Sequence, residues 1–257
     1  MTNSSDDARA VQRSWDFTEG WFANPTFING DYPSSLKEYV SDFLRPFTES
    51  EKKSLVNTSD VFAHDAYTSQ FIFAPDDGLD ACVGNASHPL YPACVNGSFA
   101  YAAADGGWNI GYAADPLSFW LHKATEWVPA LLRYIQNTWH AVGGIAITEF
   151  GFAEPFEAKK QLVSDLRFDL ARTAYYREYM QAILMAISEG VNVVGCLAWS
   201  IMDNLEWNQG YNVRFGLQYV NFTTQERQYK ASFFEYVNAF KTYQRQPEDS
   251  TSLAVRD

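Results

Sequence analysis

The strongest constraint on the fold of this sequence is an alternation of short apolar runs with longer segments of helical spacing. Three short runs, at residues 60–64, 145–148 and 193–199, have the length and composition of buried strands. Apolar residues recur at intervals of three and four along residues 176–187, and a second helical pattern occupies residues 229–243. Strands without a polar face, separated by helices, indicate an α/β fold with a parallel sheet buried on both faces. Active sites of such folds lie past the carboxyl ends of the strands.

The amino-terminal part of the chain has clear local signals. Residues 6–21 predict a helix that begins with acidic residues and ends near Gly20, and residues 22–35 predict a loop. Thr48 and Glu51 have the spacing of a capping box, in which each side chain bonds the backbone N–H of the other residue. A short helix is therefore expected to begin there.

The middle of the chain contains a long irregular segment. Residues 74–116 are rich in Gly, Pro, Asn and Asp, and a loop of that length inside a compact chain is typically functional or disordered. Helical spacing follows over residues 116–139, with Pro129 expected to interrupt it. The sequence contains no internal repeat and no low-complexity tract, and its length of 257 residues allows one large domain or two ordinary ones.

Composition and charge exclude several classes of protein. The formal net charge is −12 and the pI is about 4.7, so the chain would repel nucleic acid and anionic membrane surfaces. No run approaches the ~20 apolar residues of a membrane-spanning helix, and the polar start is unlike a signal peptide. Aromatic residues reach 16%, which is compatible with either a well-packed core or a cleft lined by rings.

Cysteines and glycosylation sequons indicate the cellular compartment. Cys82 and Cys94 lie in one Gly- and Pro-rich stretch that a disulfide would close, whereas Cys196 lies in an apolar run and is expected to be a buried thiol. The residues that begin an Asn-X-Ser/Thr sequon are Asn3, Asn57, Asn85, Asn96 and Asn221. Together these features favour a secreted eukaryotic glycoprotein, whose export signal would lie upstream of Met1.

Two groups of residues past the predicted strands have side chains suited to chemistry. Glu149 ends the second strand, where a carboxylate can act as a nucleophile, a base or a ligand for sugar hydroxyls. The alternative is a helix-capping or salt-bridged glutamate. A second cluster follows the third strand and contains Trp199, Asp203, Asn204, Glu206 and Trp207. Indole faces can cover a pyranose ring and carboxylates can bind its hydroxyls, whereas the alternative is an ordinary turn with aromatic anchors.

These residues belong to motifs that resemble family 1 of the glycoside hydrolases. ITEFG at 147–151 is similar to the family motif I-T-E-N-G, and WSIMDNLEWNQGYNVRFGL at 199–217 is similar to W-S-L-x-D-N-F-E-W-x-x-G-Y-x-x-R-F-G-L. Further segments match in the family's order at 21–33, 59–69, 172–183 and 229–237. The details TEFGFAEPFE and FAHDAYTS most resemble fungal β-glucosidases. The resemblance implies a partial (β/α)8 TIM barrel, roughly strands six to eight with their helices, as a single incomplete domain.

The resemblance assigns a role to each matching residue. It makes Glu149 the nucleophile of a retaining β-glycosidase and Tyr67 the tyrosine that hydrogen-bonds this nucleophile. Trp199 matches the platform under the terminal sugar, and Phe215 matches an aromatic residue that borders the same subsite. Glu206 and Trp207 match the residues that hold the 4- and 6-hydroxyls of this sugar. The implied reaction needs neither a metal nor an organic cofactor, and its expected substrate is a β-glucoside or a short β-linked oligosaccharide.

The sequence departs from the family pattern at four positions within these motifs. Phe150 and Asp65 stand where the family usually has Asn, Leu205 replaces a Phe, and Cys196 replaces a Tyr. These departures concern the choice of substrate more than the reaction class.

A larger departure concerns the general acid. The family's acid/base glutamate lies in a T-x-N-E-P motif, and no N-E-P occurs in the 257 residues. The only Glu-Pro pair in the sequence is Glu154-Pro155, which matches the family's strand-seven loop. Glu154 is therefore not expected to replace the missing general acid. The chain is therefore expected to begin after strand five, and to be weakly active or inactive and poorly folded unless a separate amino-terminal half completes it. The alternative function is that of a non-catalytic sugar-binding remnant or degenerate fragment.

Overall fold

A parallel three-stranded sheet forms the centre of the structure, a computed structural model that describes residues 4–99 and 110–243. In spatial order, its strands are β1 (Phe62–His64), β4 (Ile145–Phe150) and β5 (Val193–Ala198). Since all three strands run in the same direction, their carboxyl ends lie together at one end of the sheet. The predicted α/β class and the three predicted strands are confirmed.

Helices and two small two-stranded sheets surround this sheet. The α-helices of the described residues are α1 (Ser5–Trp15), α2 (Trp21–Asn24), α3 (Ser34–Tyr39), α4 (Glu49–Leu55), α5 (Leu79–Cys82), α6 (Val128–Trp139), α7 (Val163–Arg167), α8 (Leu170–Ser188) and α9 (Ala231–Tyr243). The two small antiparallel sheets pair β2 (Phe71–Phe73) with β3 (Asn96–Ser98), and β6 (Gln218–Val220) with β7 (Arg227–Tyr229). The sequence does not predict these small sheets, because strands of three residues are too short to show alternation.

The amino-terminal helical run is longer than predicted. π-Helical turns at Asp16–Gly20 and Pro25–Asn29 continue α1 and α2, and the run ends at Gly30, which has a φ of 75°. The predicted end near Gly20 is wrong because Gly20 has helical backbone angles and lies inside the run. Most of the loop predicted over residues 22–35 is consequently helical.

Two further local predictions have different outcomes. The capping box is confirmed at the start of α4, where the Thr48 hydroxyl accepts from the Glu51 N–H at 3.3 Å. In return, the Glu51 carboxylate accepts from the Thr48 N–H at 2.8 Å. Pro129 does not interrupt a helix, because α6 begins at Val128. Pro129 therefore lies in the first turn of α6, where its missing N–H costs no hydrogen bond.

The long irregular segment, residues 74–116, is held by local structure and by a disulfide. It contains α5 and β3, and the Sγ atoms of Cys82 and Cys94 are bonded to each other. The buried guanidinium of Arg13 donates to the carbonyl of Cys94 at 2.9 Å and so ties the segment to α1. Residues 100–109 of this segment lie outside the described residues.

The helices cover one face of the sheet. Ile145 and Ile147 of β4 are buried together with side chains of α6 and α8, whereas Leu197 of β5 is 61% exposed. The expectation of a sheet buried on both faces is therefore wrong for the described residues, which leave much of the second face open.

A buried charge cluster joins the loops after β4 and β5 to α8 and α9. Its cations, Arg172 and Lys230, have no exposed surface, and its carboxylates are Glu157, Asp169 and Asp203. Burial alone would raise the pKa of Glu157, but the charges of Arg172 and Lys230 outweigh it and hold this pKa below its usual value. Because losing one cation would leave the buried carboxylates with less compensating charge, the cluster holds both loops in place.

Candidate active site

Glu149 and Tyr67 meet at the carboxyl end of the sheet. Glu149 lies one residue before the end of β4, and Tyr67 lies in the segment that follows the neighbouring strand β1. The Tyr67 hydroxyl donates a hydrogen bond of 2.7 Å to Oε2 of Glu149. Burial and the Glu149 carboxylate both raise the pKa of Tyr67, so the phenol stays protonated and remains a donor.

Glu206 and Trp199 lie beside this pair. The Trp199 side chain lies close enough to the Glu206 carboxylate to lower its pKa. Burial and the negative charge of Glu149 outweigh this effect, and the pKa of Glu206 is raised above its usual value. The structure thus brings together two half-buried carboxylates, one bonded by the Tyr67 hydroxyl and the other next to the Trp199 indole.

Gly151 allows the loops after β4 and β5 to approach each other. A Cβ added to Gly151 would overlap the carbonyl oxygen of Trp199 and lie 3.3 Å from the hydroxyl oxygen of Tyr176. The Trp199 N–H also donates to the carbonyl of Phe150 at 2.8 Å. The glycine of the sequence TEFG is therefore required by the close approach that places Trp199 next to the residues around Glu149.

Aromatic side chains form the wall around Tyr67. Phe215 is buried and meets the Tyr67 ring edge-on, with the ring centroids 6.3 Å apart. Trp120 meets the same ring at 5.7 Å and keeps 36% of its surface exposed. The sequence reasoning missed Trp120, although the aromatic pair Phe119-Trp120 at the end of the irregular segment was an available signal.

Trp207 lies in the turn that follows Glu206. Its side chain is 86% exposed, and the backbone φ of this residue is 38°. The turn is closed by a hydrogen bond of 2.7 Å from the Glu206 N–H to the Gly210 carbonyl. The neighbouring Leu205 is 61% exposed, so the described residues leave this loop largely open to solvent.

Three other polar residues considered from the sequence have structural contacts. Asp203 belongs to the buried charge cluster and also accepts from the Gly216 N–H at 3.1 Å. The Asn204 side-chain amide donates to the Ser200 hydroxyl at 3.2 Å. The carboxylate of Glu154 accepts from the backbone N–H of Arg172 at 2.9 Å, and burial raises its pKa.

The departures from the family pattern also have defined positions. Phe150 has no exposed surface and stacks on Tyr179 with the ring centroids 4.4 Å apart, so its side chain cannot contact a bound sugar. Asp65 accepts a hydrogen bond of 2.7 Å from the Thr148 hydroxyl. Cys196 is a buried free thiol, and burial raises its pKa to about 11.

The sequons differ in their accessibility. Asn57 and Asn85 are exposed, while Asn96 and Asn221 are partly buried. The Asn221 side-chain oxygen accepts from the N–H groups of Thr223 and Thr224. Asn3 lies outside the described residues.

The described residues contain neither a candidate metal site nor a helix that could span a membrane. Within residues 4–99 and 110–243, no group of three or more His, Cys, Asp or Glu side chains is placed to hold a metal ion. In the same residues, no helix has both the length and the apolar composition needed to cross a membrane.

Known proteins with similar sequences are β-glycosidases. The isoflavonoid 7-O-beta-apiosyl-glucoside beta-glycosidase of Dalbergia nigrescens is 33% identical over 238 residues, which cover 92% of this chain and 41% of that protein. Beta-glucosidase 26 of Oryza sativa subsp. japonica is 31% identical over 245 residues, covering 95% of this chain and 45% of that protein. The chain thus spans less than half the length of these relatives.

Solved structures of β-glucosidases have the same fold over about half of their length. Beta-glucosidase 2 from the fungus Trichoderma reesei, in complex with Tris, matches with a TM-score of 0.81 and 29% identity, over 95% of this chain and 50% of that chain. The family 1 β-glucosidase from the fungus Humicola insolens, in complex with glucose, matches with a TM-score of 0.78 and 28% identity, over 93% of this chain and 48% of that chain.

A family assignment follows from these matches. The sequence model of glycosyl hydrolase family 1 matches residues 1–244, nearly the whole chain. The named relatives are glycoside hydrolases, and the structure corresponds to about half of their barrel fold. This chain therefore belongs to glycosyl hydrolase family 1.

Proposed function

We propose that this chain provides the nucleophile of a retaining β-glucosidase that removes terminal β-D-glucosyl residues from β-glucosides. The observation that carries the proposal is the hydrogen bond of 2.7 Å from Tyr67 to Glu149, with Glu206 and Trp199 beside it. The position of this group past the carboxyl ends of parallel strands is that of an active site in (β/α) folds. The relatives that are named β-glucosidases support the same reaction class.

The proposed reaction has two displacements at the anomeric carbon. An oxygen of Glu149 attacks this carbon while its bond to the leaving-group oxygen breaks, and a general acid protonates that oxygen. Water then hydrolyses the glycosyl ester, which restores the Glu149 carboxylate and retains the configuration. Tyr67 orients the carboxylate through its hydrogen bond, Trp199 covers a face of the sugar and Glu206 accepts hydrogen bonds from sugar hydroxyls.

The general acid is the part of the machinery that the proposal does not assign to this chain. No Asn-Glu-Pro occurs in the sequence, and the carboxylate of Glu154 is bound to the backbone of Arg172. Losing a general acid typically lowers the rate by ~10²–10⁴. The 257 residues alone are therefore expected to hydrolyse ordinary glucosides weakly or not at all, and a separate polypeptide that completes the barrel should increase the turnover.

Mechanism-based labelling tests the nucleophile without requiring the acid. A 2-deoxy-2-fluoro-β-glucoside with a dinitrophenolate leaving group needs no protonation to react, and its fluorine slows hydrolysis of the ester. We expect mass spectrometry to find the 2-fluoroglucosyl group on the peptide that contains Glu149. Glu149→Gln should abolish the labelling, whereas the matched control Glu126→Gln, at an exposed position, should keep it.

The same experiment separates the proposal from its alternative. Labelling at a residue other than Glu149 would contradict the assigned nucleophile. Binding of the reagent without any labelling would favour the non-catalytic sugar-binding protein instead.

We also propose that the chain is a secreted glycoprotein. The Cys82–Cys94 disulfide is typical of oxidising compartments, and the sequons at Asn57 and Asn85 are exposed. Expression through a eukaryotic secretory pathway should give a product whose mass decreases on treatment with an N-glycanase. An unchanged mass, with Asn57 and Asn85 recovered unmodified, would contradict the proposal.

A further inference from the structure

Helix α8 carries three buried tyrosines whose rings face the sheet. Tyr175 and Tyr176 have no exposed surface, and Tyr179 is 1% exposed. Positions i, i+1 and i+4 lie on the same side of a helix, so the three side chains project together. Burying a phenol is favourable only when its hydroxyl finds a hydrogen-bond partner. These residues are called the α8 tyrosines below.

The hydroxyls of the α8 tyrosines bind backbone carbonyls at the carboxyl ends of all three strands of the sheet, or in the segments that follow them. Tyr179 donates to the carbonyl of Ala66 at 2.5 Å, and Tyr175 donates to that of Tyr67 at 2.9 Å. Tyr176 lies 3.0 Å from the carbonyl oxygen of Trp199 and 3.3 Å from that of Phe150. A single helix face thus contacts the end of β4 and the segments that follow β1 and β5.

The carbonyls belong to residues that surround Glu149. Tyr67 is the hydrogen-bond donor to Glu149, and Phe150 is the next residue in the chain. The Trp199 side chain lies beside Glu206, the carboxylate whose charge interacts with that of Glu149. The α8 tyrosines therefore bind the backbone of residues that either contact Glu149 or lie next to it in the chain or in space.

The packing of the rings makes this arrangement rigid. Phe150 fills the space between the α8 tyrosines, stacked on Tyr179 at 4.4 Å and edge-on to Tyr176 at 5.3 Å. Tyr175 and Tyr176 also meet edge-on at 5.8 Å. Because close-packed aromatic rings have little room to shift, the hydroxyls present donors at fixed positions.

We propose that the α8 tyrosines are positioning residues for Glu149, because their hydroxyls hold the strand ends that carry this carboxylate and its neighbours Tyr67 and Trp199. The inference rests on the proposed function for the role of Glu149. It adds that a helix packed against the sheet fixes the position of the nucleophile, although the side chains of this helix do not touch the substrate.

The test removes single hydroxyls and compares them with a matched control. Tyr175→Phe and Tyr176→Phe each delete a hydroxyl that binds a carbonyl of the site. Tyr236→Phe, on α9, deletes one that donates to the carbonyl of Cys196 at 3.1 Å, in the middle of β5. The rate of labelling by the 2-fluoroglucoside is measured on the full 257-residue chain at several reagent concentrations. These measurements give two parameters, the rate constant at saturation and the reagent concentration at half-saturation.

A positioning role predicts a specific pattern. The saturating rate constant should fall about tenfold or more in Tyr175→Phe and Tyr176→Phe, since small displacements of a reacting group are costly. The half-saturating concentration should stay within about twofold, because the sugar contacts are kept. Tyr236→Phe should be labelled as fast as the unmodified chain, even if its unfolding temperature decreases as much as those of Tyr175→Phe and Tyr176→Phe. Equal saturating rate constants in all of these variants would overturn the proposal.

Hydrogen exchange gives a second readout that does not depend on labelling. The N–H of Tyr67 is bonded to Asp65, and the N–H of Trp199 is bonded to Phe150, so both amides report on the held segments. Their exchange should accelerate in Tyr175→Phe and Tyr176→Phe but not in Tyr236→Phe. If the unmodified chain is not labelled, the proposed function fails, and faster exchange confined to these amides would still support the positioning role. Unchanged or uniformly faster exchange would refute it.

Discussion

Replacing Gly151 by alanine tests the close approach of the two loops that carry the candidate site. The added Cβ would overlap the carbonyl oxygen of Trp199, so one of the two loops must move. That movement would break two hydrogen bonds, from the Trp199 N–H to Phe150 and from the Tyr176 hydroxyl to Trp199. Gly151→Ala is therefore expected to impair both the stability of the chain and the geometry around Glu149.

The size of the effect can be derived from these contacts. Two net hydrogen bonds contribute about 2 kcal/mol. Overpacking adds about 1–3 kcal/mol. The free energy of unfolding should therefore decrease by about 3–5 kcal/mol, which corresponds to about 6–20 °C in the unfolding temperature of a domain of this size.

Thermal unfolding followed by tryptophan fluorescence measures this difference. Gly195→Ala is the matched control, because Gly195 lies in β5 and a Cβ added there meets no atom within 4 Å. We expect the control to unfold within a few degrees of the unmodified chain. Equal unfolding temperatures for Gly151→Ala and Gly195→Ala would refute the close approach of the loops.

Three further predictions concern single side chains. Tyr67→Phe should slow the 2-fluoroglucoside labelling of Glu149 about tenfold, the size of a hydrogen bond to a charged group, with a normal unfolding temperature. Arg172→Met should lower the free energy of unfolding by about 3–5 kcal/mol, measured in urea, because Glu157 and Asp169 lose an ion pair and stay buried with less compensating charge. The control Arg45→Met removes an exposed ion pair with Glu51 and should change the free energy of unfolding little. Because burial and a nearby carboxylate raise the pKa of Glu206, the folded state binds its proton more tightly, and this group's contribution to stability falls as the pH rises through that pKa. Glu206→Gln should therefore unfold at a higher temperature than the unmodified chain at neutral pH, an advantage that disappears in acid.

The sequence predicts those parts of the structure that have strong local signals. The three strands of the sheet have apolar runs, and the capping box of α4 has two residues at a defined spacing. Tyr176 and Tyr179 are predicted to lie on the apolar face of their helix, and both are buried. The family motifs indicate Glu149 and Tyr67 and imply the hydrogen bond between them, which the structure contains.

Other features depend on contacts that no local pattern contains. Gly20 resembles a helix end, yet it lies inside a longer helical run. The contact between Trp120 and Tyr67 joins segments more than fifty residues apart in the sequence. The carbonyl partners of the α8 tyrosines could not be predicted either, because a hydroxyl leaves no periodic signal and its acceptor is a backbone atom of a distant strand.

A crystal structure of the chain after reaction with the 2-fluoroglucoside tests the central claim most directly. The account predicts a covalent bond between the anomeric carbon and an Oε atom of Glu149. It also predicts that the sugar ring lies on Trp199 and that its hydroxyls are bonded to Glu206. A sugar attached to another residue, or bound away from Trp199 and Glu206, would contradict the account.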